Sequence, residues 1–284
     1  MSACARTSKR IPVLIAALSI LLGAALPASA APKRVVSLNV CTDQLAMMLA
    51  EPGQLVSVSF LARDPRSSAM ADQAQAYPVN HGLAEEVFEL QPDLVLAGTY
   101  SSRGAVMMLR RLGIEVIEFP PENGLDGVRR NLTRMGQALG QETRAAALLT
   151  AFETDLAALR ADPPRRPRVA LYGPNGYTTG DDTLAGAILA TAGFDNIAAE
   201  AGLPGGGTLP LEQLVMLQPD LIITGTRYEG SSRAEALLDH PALTDLAAMP
   251  RVRATGGAWV CGTPHLLDAV REMVDLRREM ETGQ

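Results

Sequence analysis

Of the three cysteines and three histidines in this 284-residue sequence, Cys41, His81, Cys261 and His265 stand out as a set that could hold a metal or, through the cysteines, cross-link the chain. Three readings of them stay open. The cysteines can form a disulfide, which requires Cα atoms within roughly 7 Å. Some of the four can coordinate a metal or the metal of a bound chelate, since thiolate and imidazole are soft or borderline ligands, although no C-x2-C or H-x3-H spacing builds a site in advance. Otherwise they are unpaired side chains. Enzymatic motifs are lacking: there is no G-x-S-x-G, H-E-x-x-H or G-x4-G-K-[ST], and no catalytic residue is expected. Gly205-Gly206-Gly207 lacks a preceding strand and reads as a flexible loop. Asp181-Asp182 can cap a helix at Thr183, a reading preferred to metal binding, and Asn131-Leu132-Thr133 reads as a chance glycosylation triplet within a helical pattern.

Composition narrows the class. The formal net charge is −6 with no block of like charge, which argues against a nucleic-acid partner. The longest apolar run, Ile11 to Leu26, is shorter than the roughly 20 residues a membrane-spanning helix needs. Arg6, Lys9 and Arg10 precede it and Ala28-Ser29-Ala30 closes it, the pattern of a cleaved signal peptide. Cleavage leaves 254 residues with a net charge of −9 and two cysteines, in an oxidising compartment. Ala31 rather than a cysteine follows the cut, so a soluble periplasmic protein is expected rather than a lipoprotein.

The elements that must position these residues alternate between strand and helix. Strands are expected at Arg34 to Leu38, Leu55 to Ser59, Leu94 to Ala97, Glu115 to Phe119 and Arg168 to Tyr172. Thr42 or Asp43 can cap a helix running through Glu51, and another runs from about Ser102 to Leu112 and stops at Gly113. This alternation predicts an α/β fold with parallel strands and helices on both faces.

The second half repeats the first. Glu85 to Thr99 reads EEVFELQPDLVLAGT and Glu212 to Thr226 reads EQLVMLQPDLIITGT, with 8 of 15 positions identical. Ser-Ser-Arg follows in both copies, at 101–103 and 231–233. Each unit reads as a short helix stopped before proline, then a buried strand ending in a loop. Between the copies, Gln141 to Ala161 contains no Gly or Pro and has Leu148, Phe152, Leu156 and Leu159 at helical spacing, a stiff spacer of roughly 30 Å. The expected divisions are a signal peptide over 1–30, an N-terminal lobe over 31–140, a linking helix over 141–162 and a C-terminal lobe over 163–284.

The secretion signal, RVVSLN, the two E-x6-PDL units and the single linking helix together resemble the periplasmic solute-binding proteins of ABC importers, in the group that carries ferric siderophores, haem and cobalamin. The resemblance covers Arg34 to about Met280. It implies two similar α/β lobes with mainly parallel sheets, joined by one long rigid helix, with a ligand cleft between them and modest hinge motion. It further implies a monomer that captures a small-molecule metal chelate and delivers it to a permease dimer in the inner membrane, the chelate being cargo rather than cofactor. Acidic residues at the positions of Glu85 and Glu212 would dock onto permease arginines; the plainer reading makes them helix-start residues favoured by the dipole.

Ligands of open α/β sheets bind beyond the carboxyl ends of the strands. The loops there bring Arg63, Tyr100, Arg103, Tyr177, Arg227, Arg233 and Trp259. Arginine forks suit carboxylate, phosphate or catecholate groups and aromatics suit flat ligand faces, whereas the plain alternative leaves the arginines solvated. An iron–siderophore or haem-type ligand is expected ahead of cobalamin, because the stretch before Glu212 is glycine-rich rather than aromatic and the chain has one Trp. The competing function is an extracytoplasmic metal-binding protein or enzyme using Cys41, His81, Cys261 and His265.

Overall fold

The computed structural model describes residues 31–225, 230, 232–245 and 251–282. Residues 1–30, read above as a signal peptide, lie outside the described residues, as do Arg227 and Ser231. In the first half, aliphatic runs form β1 (Val35–Ser37), β2 (Leu55–Ser59), β3 (Val79–Asn80), β4 (Leu94–Gly98) and β5 (Glu115–Phe119). The segments between and after them form α1 (Val40–Leu49), α2 (Ala84–Glu89), α3 (Arg103–Arg111), α4 (Leu125–Leu139) and α5 (Glu142–Leu159). The sheet order is β3-β2-β1-β4-β5, parallel throughout.

The second half builds β6 (Arg168–Leu171), β7 (Tyr177–Thr178), β8 (Asp195–Asn196), β9 (Gly207–Thr208), β10 (Leu221–Gly225) and β11 (Arg251–Thr255). Its helices are α6 (Leu184–Ala192), α7 (Ile197–Glu200), α8 (Leu211–Leu217), α9 (Pro241–Asp245) and α10 (Leu266–Thr282). The sheet order is β11-β10-β6-β8, again parallel, while β7 and β9 pair antiparallel as a separate ribbon. The α/β class with two parallel-sheet lobes is as the sequence predicts.

Several local expectations are corrected. The cap of α1 is Asn39, whose side chain accepts from the Cys41 N–H at 3.0 Å, while Thr42 and Asp43 lie buried inside the first turn. Gly207 belongs to β9, so the triple glycine is not a free loop. A Cβ on Gly206 would come within 2.8 Å of the Thr178 carbonyl, so glycine lets this ribbon close.

The repeated unit has a repeated mechanism. Gln91 and Gln218, each just before proline, both take positive φ, 49° and 46°, turning the chain sharply from helix to strand. The Asp after each proline then caps the first strand of its own lobe. Asp93 accepts from the Lys33 and Arg34 N–H groups at 2.8 and 2.9 Å, and Asp220 from the Arg168 N–H at 2.8 Å. Arg34 donates to the carbonyls of Leu90 and Gln91, and Arg168 to those of Leu217 and Gln218. Carbonyls that a helix end leaves without intrahelical partners are thereby satisfied twice in the same way.

One apolar cluster runs through both lobes. It joins Leu45, Leu96, Leu132 and Met135 of the first half to Leu171, Ile188, Leu221 and Met273 of the second, through Phe152 and Leu156 of α5. The outer faces have their own smaller clusters, around Val95 and Leu109 and around Tyr172 and Ile222. Helix α5 spans 18 residues, shorter than expected because Pro163 and Pro164 follow and Gly140 separates it from α4. Arg129 of α4 pairs with Glu153 of α5, and Arg271 of α10 reaches Asp155 at 3.0 Å. The linking helix is therefore packed on both sides rather than swinging free.

Beneath β1 and β2, Asp43 is fully buried, accepting from the Ser59 backbone N–H at 3.1 Å and the Ser59 hydroxyl at 2.5 Å. Burial pushes its carboxyl up to about 7 from an ordinary 3.8, against the downward pull of bonds to Ser37 and Ser59. The folded chain thus holds this proton more tightly than the unfolded chain. Its stabilising contribution is full below pH 4 and is lost as pH rises to about 7, at about 1.4 kcal/mol per pH unit inside that window. Asp43→Asn removes the proton but keeps an acceptor. Denaturant unfolding should show the variant gaining on the wild type between pH 4.5 and 7.5; parallel stability profiles would contradict this role.

Candidate functional site

In a doubly wound sheet, the crevice opens where the strand order reverses. In the first sheet that point lies between β1 and β4, and a cavity of about 130 Å³ sits there, lined by Asn39, Thr42, Thr99 and Tyr100. Phe119, Pro120, Pro121 and Glu122, following β5, complete its wall with Val260 and Gly262 from the other lobe. In the second sheet the reversal lies between β6 and β10, and a second cavity, of about 280 Å³, is lined by Tyr172, Gly173, Tyr177, Gly225 and Trp259. The two lobes therefore present one crevice each, and the segment 259–262 takes part in both.

That segment is fastened to the first lobe. Cys41 and Cys261 form a disulfide with Cα atoms 5.2 Å apart, joining the start of α1 to the loop before α10. Gly257 donates to the Pro65 carbonyl at 3.1 Å, and a Cβ on it would come within 2.2 Å of the Ser68 backbone. Only glycine permits that approach. It holds Trp259 in place, 8% exposed, with its indole N–H aimed at no acceptor among the described residues.

Of the readings left open for the Cys/His set, the bridge is the one present, and this corrects the metal assignment: two bonded sulfurs offer no thiolate. His81 stacks on Phe60 and pairs with Glu86 at 3.1 Å, while His265 lies 3.5 Å from Asp268. Among the described residues, no group of three or more His, Cys, Asp or Glu could hold a metal.

The aromatic candidates Tyr100, Tyr177 and Trp259 all line the crevices. Tyr100 is 88% exposed, an open surface for a flat ligand. Arg63, Arg103 and Arg233, the described arginine candidates, do not line these crevices. Arg63 donates to the carbonyls of Ala74, Gln75 and Tyr77, so its guanidinium braces a loop. Arg103 opens α3 and Arg233 sits in a turn, both exposed, and neither lines either cavity. No arginine or lysine is among the described residues lining these two cavities.

One residue lining the first cavity, Glu122, was not singled out from the sequence. The Glu122 side chain is only 5% exposed at the wall of the first cavity, with Arg130 at 3.5 Å. Burial pushes its carboxyl above the usual range, while Arg130 and Asn131 pull it down. The signal was available, since the loop after β5 lies at the same sheet edge as those read from the sequence. Glu85 and Glu212 are exposed in the first turns of α2 and α8, and neither is among the residues lining the two cavities.

Residues 35–251 match the family model described as periplasmic binding protein. A cobalamin-binding protein of Halobacterium salinarum is 29% identical over 250 residues, covering 86% of this chain and 67% of that one. An uncharacterised ABC transporter substrate-binding lipoprotein of Bacillus subtilis, YvrC, is 28% identical over 204 residues, covering 68% and 63%. Among solved structures, the periplasmic haem-binding protein HutB of Vibrio cholerae superposes with a TM-score of 0.71 at 23% identity, covering 86% of this chain and 98% of that one. The chain belongs to the periplasmic binding protein family, whose members bind solutes and are not enzymes.

The bridge closes a segment of 220 residues, and a loop of that length makes it a strong constraint on the unfolded chain. The denatured, unreduced protein without residues 1–30 should show no titratable thiol, and reduction should add two hydrogens to its mass. Replacing both cysteines with Ser should lower the unfolding free energy by about 2–5 kcal/mol. A count of two free thiols would contradict the bridge.

Proposed function

We propose that this chain is the substrate-binding component of an ABC importer, capturing an iron–siderophore, haem or cobalamin in the cleft and handing it to a permease dimer at the inner membrane. The observation that carries the reading is the pairing of two switch-point crevices across one fastened seam. Such a site can grip a large flat ligand from two sides with aromatic surface and little rearrangement. The relatives named for cobalamin binding and for ABC transport support it. The disulfide suits an oxidising compartment, consistent with an exported soluble protein. Among the described residues no helix is long and apolar enough to cross a membrane. The alternative function through a Cys/His metal site loses its thiolates to the bridge.

Delivery requires a face that both lobes present. Glu85 and Glu212 supply equivalent exposed carboxylates, each on a helix whose end is pinned by the Arg34 or Arg168 clamp. As helix-start residues only, Glu85→Arg with Glu212→Arg should cost on the order of 0.5–1 kcal/mol of stability each and leave uptake intact. As docking residues, they should leave affinity for haemin or cyanocobalamin within about twofold and reduce uptake into vesicles carrying the cognate permease more than tenfold, since like charges juxtaposed at an interface cost several kcal/mol. Normal uptake by the double variant would overturn the docking role.

A further inference from the structure

The repeated unit that carries Glu85 and Glu212 also carries an exposed apolar side chain in each lobe. Phe88, three residues after Glu85 on α2, is 48% exposed, and Met216, four residues after Glu212 on α8, is 81% exposed. Spacings of three and four residues put each apolar group beside its carboxylate on one helix face. A lone exposed apolar residue is ordinary; a pair repeated beside the same acid is not. In the second half, the other large apolar side chains exposed among the described residues, Tyr177 and Val260, line the cavities, so Met216 is the one that neither cavity uses. In the first half, α3 exposes Met107, Met108 and Leu112 as well. That feature is not repeated: counted from the two Ser-Ser-Arg triplets, the counterparts Leu237, Leu238 and Ala242 are all covered in part or fully.

We infer that Phe88 and Met216 are the apolar anchors with which the two lobes hold a permease dimer, one anchor per subunit, while Glu85 and Glu212 steer the encounter. The inference rests on the proposed docking through those carboxylates and adds which side chains keep the complex together. Two like features on one chain match a partner that repeats its own surface, as a twofold dimer does. Each copy of that surface would pair a cationic side chain with a shallow apolar pocket. Charge weighs against the rival occupants. Neither helix carries Lys or Arg, and residues 31–284 have a net charge of −9, so a second copy or an anionic lipid surface would meet like charge. Rim charges act chiefly on the association rate, whereas an aromatic or Met anchor seated in a pocket acts on dissociation. Both helices can bear that load. Each ends in the Gln-Pro-Asp turn gripped by Arg34 or Arg168, so an anchor on it moves with its lobe.

The test measures binding of the protein without residues 1–30 to its cognate permease in lipid nanodiscs, at low and high salt. No chelate is added, so that docking is read apart from capture. Phe88→Ser with Met216→Ser should raise the dissociation rate about tenfold or more, leaving the association rate within about threefold and its salt dependence unchanged. Glu85→Gln with Glu212→Gln should instead slow association and flatten its salt dependence. Phe88→Leu with Met216→Leu, which keeps apolar bulk, should dissociate within about threefold of wild type. Both anchors are exposed, so the Ser variant should fold, which its circular dichroism and unfolding midpoint check. An unchanged dissociation rate in the Ser variant, with association slowed in the Gln variant, overturns the anchors and leaves docking standing. A wild type that does not bind the permease, or binding unaltered in both variants, overturns the docking reading and this inference with it. A wild-type dimer in sedimentation that the Ser variant loses would assign the anchors to a second copy and overturn the inference.

Discussion

The cleft depends on one close approach, that of residues 257–263 to the first lobe. Those residues follow the last strand of the second sheet, yet they are bonded through Cys41–Cys261 to the start of α1 and pressed through Gly257 onto the backbone at Ser68. Without that seam, the switch-point crevices would be two shallow surfaces on separate sheets. With it, Trp259 and Gly262 are held where each serves a different wall. The shared apolar cluster through α5 supports the same arrangement from behind, so two layers oppose relative motion of the lobes. A site whose walls are already in place loses little ordering entropy when a ligand arrives.

The two lobes repeat one construction and then diverge where they meet the ligand. The Gln-Pro-Asp turn, the strand cap by Asp and the Arg grip on the helix-end carbonyls occur in both, at the edge away from the cleft. At the cleft edge, the first lobe offers Asn39, Thr42 and Glu122, and the second offers Tyr172, Tyr177 and Trp259. The repeated part sets the frame and presents Glu85 and Glu212 alike. The divergent part gives one crevice polar side chains beside Tyr100 and Phe119, and the other a mainly aromatic lining.

What could be read from the sequence was what local periodicity and turn chemistry decide. Leu55–Ser59 and Glu115–Phe119 are strands with the bounds expected, and the PDL repeat marks two equivalent lobes, whereas Ser102 caps α3 instead of opening it and Thr183, not Asp181-Asp182, caps α6. The cap of α1 was misread because Asn39, Thr42 and Asp43 all have capping side chains, and burial beneath the sheet removes the last two from the choice. The described arginines lie off the two cavities for another reason. A guanidinium takes whatever carbonyls the tertiary fold brings near, and for Arg63 these belong to the loop at Ala74 to Tyr77. Glu122 escaped notice because its enclosure depends on Gly262, distant in the chain and brought there by a disulfide that spacing alone leaves open.

The most direct measurement is a crystal structure of the oxidised protein with the tightest-binding of the coloured chelates. The account predicts one ligand per chain, lying between Tyr100 and Trp259, and the Cys41–Cys261 bridge intact. Ligand density outside both crevices, or lobes separated at residues 257–263 to admit it, would contradict the account.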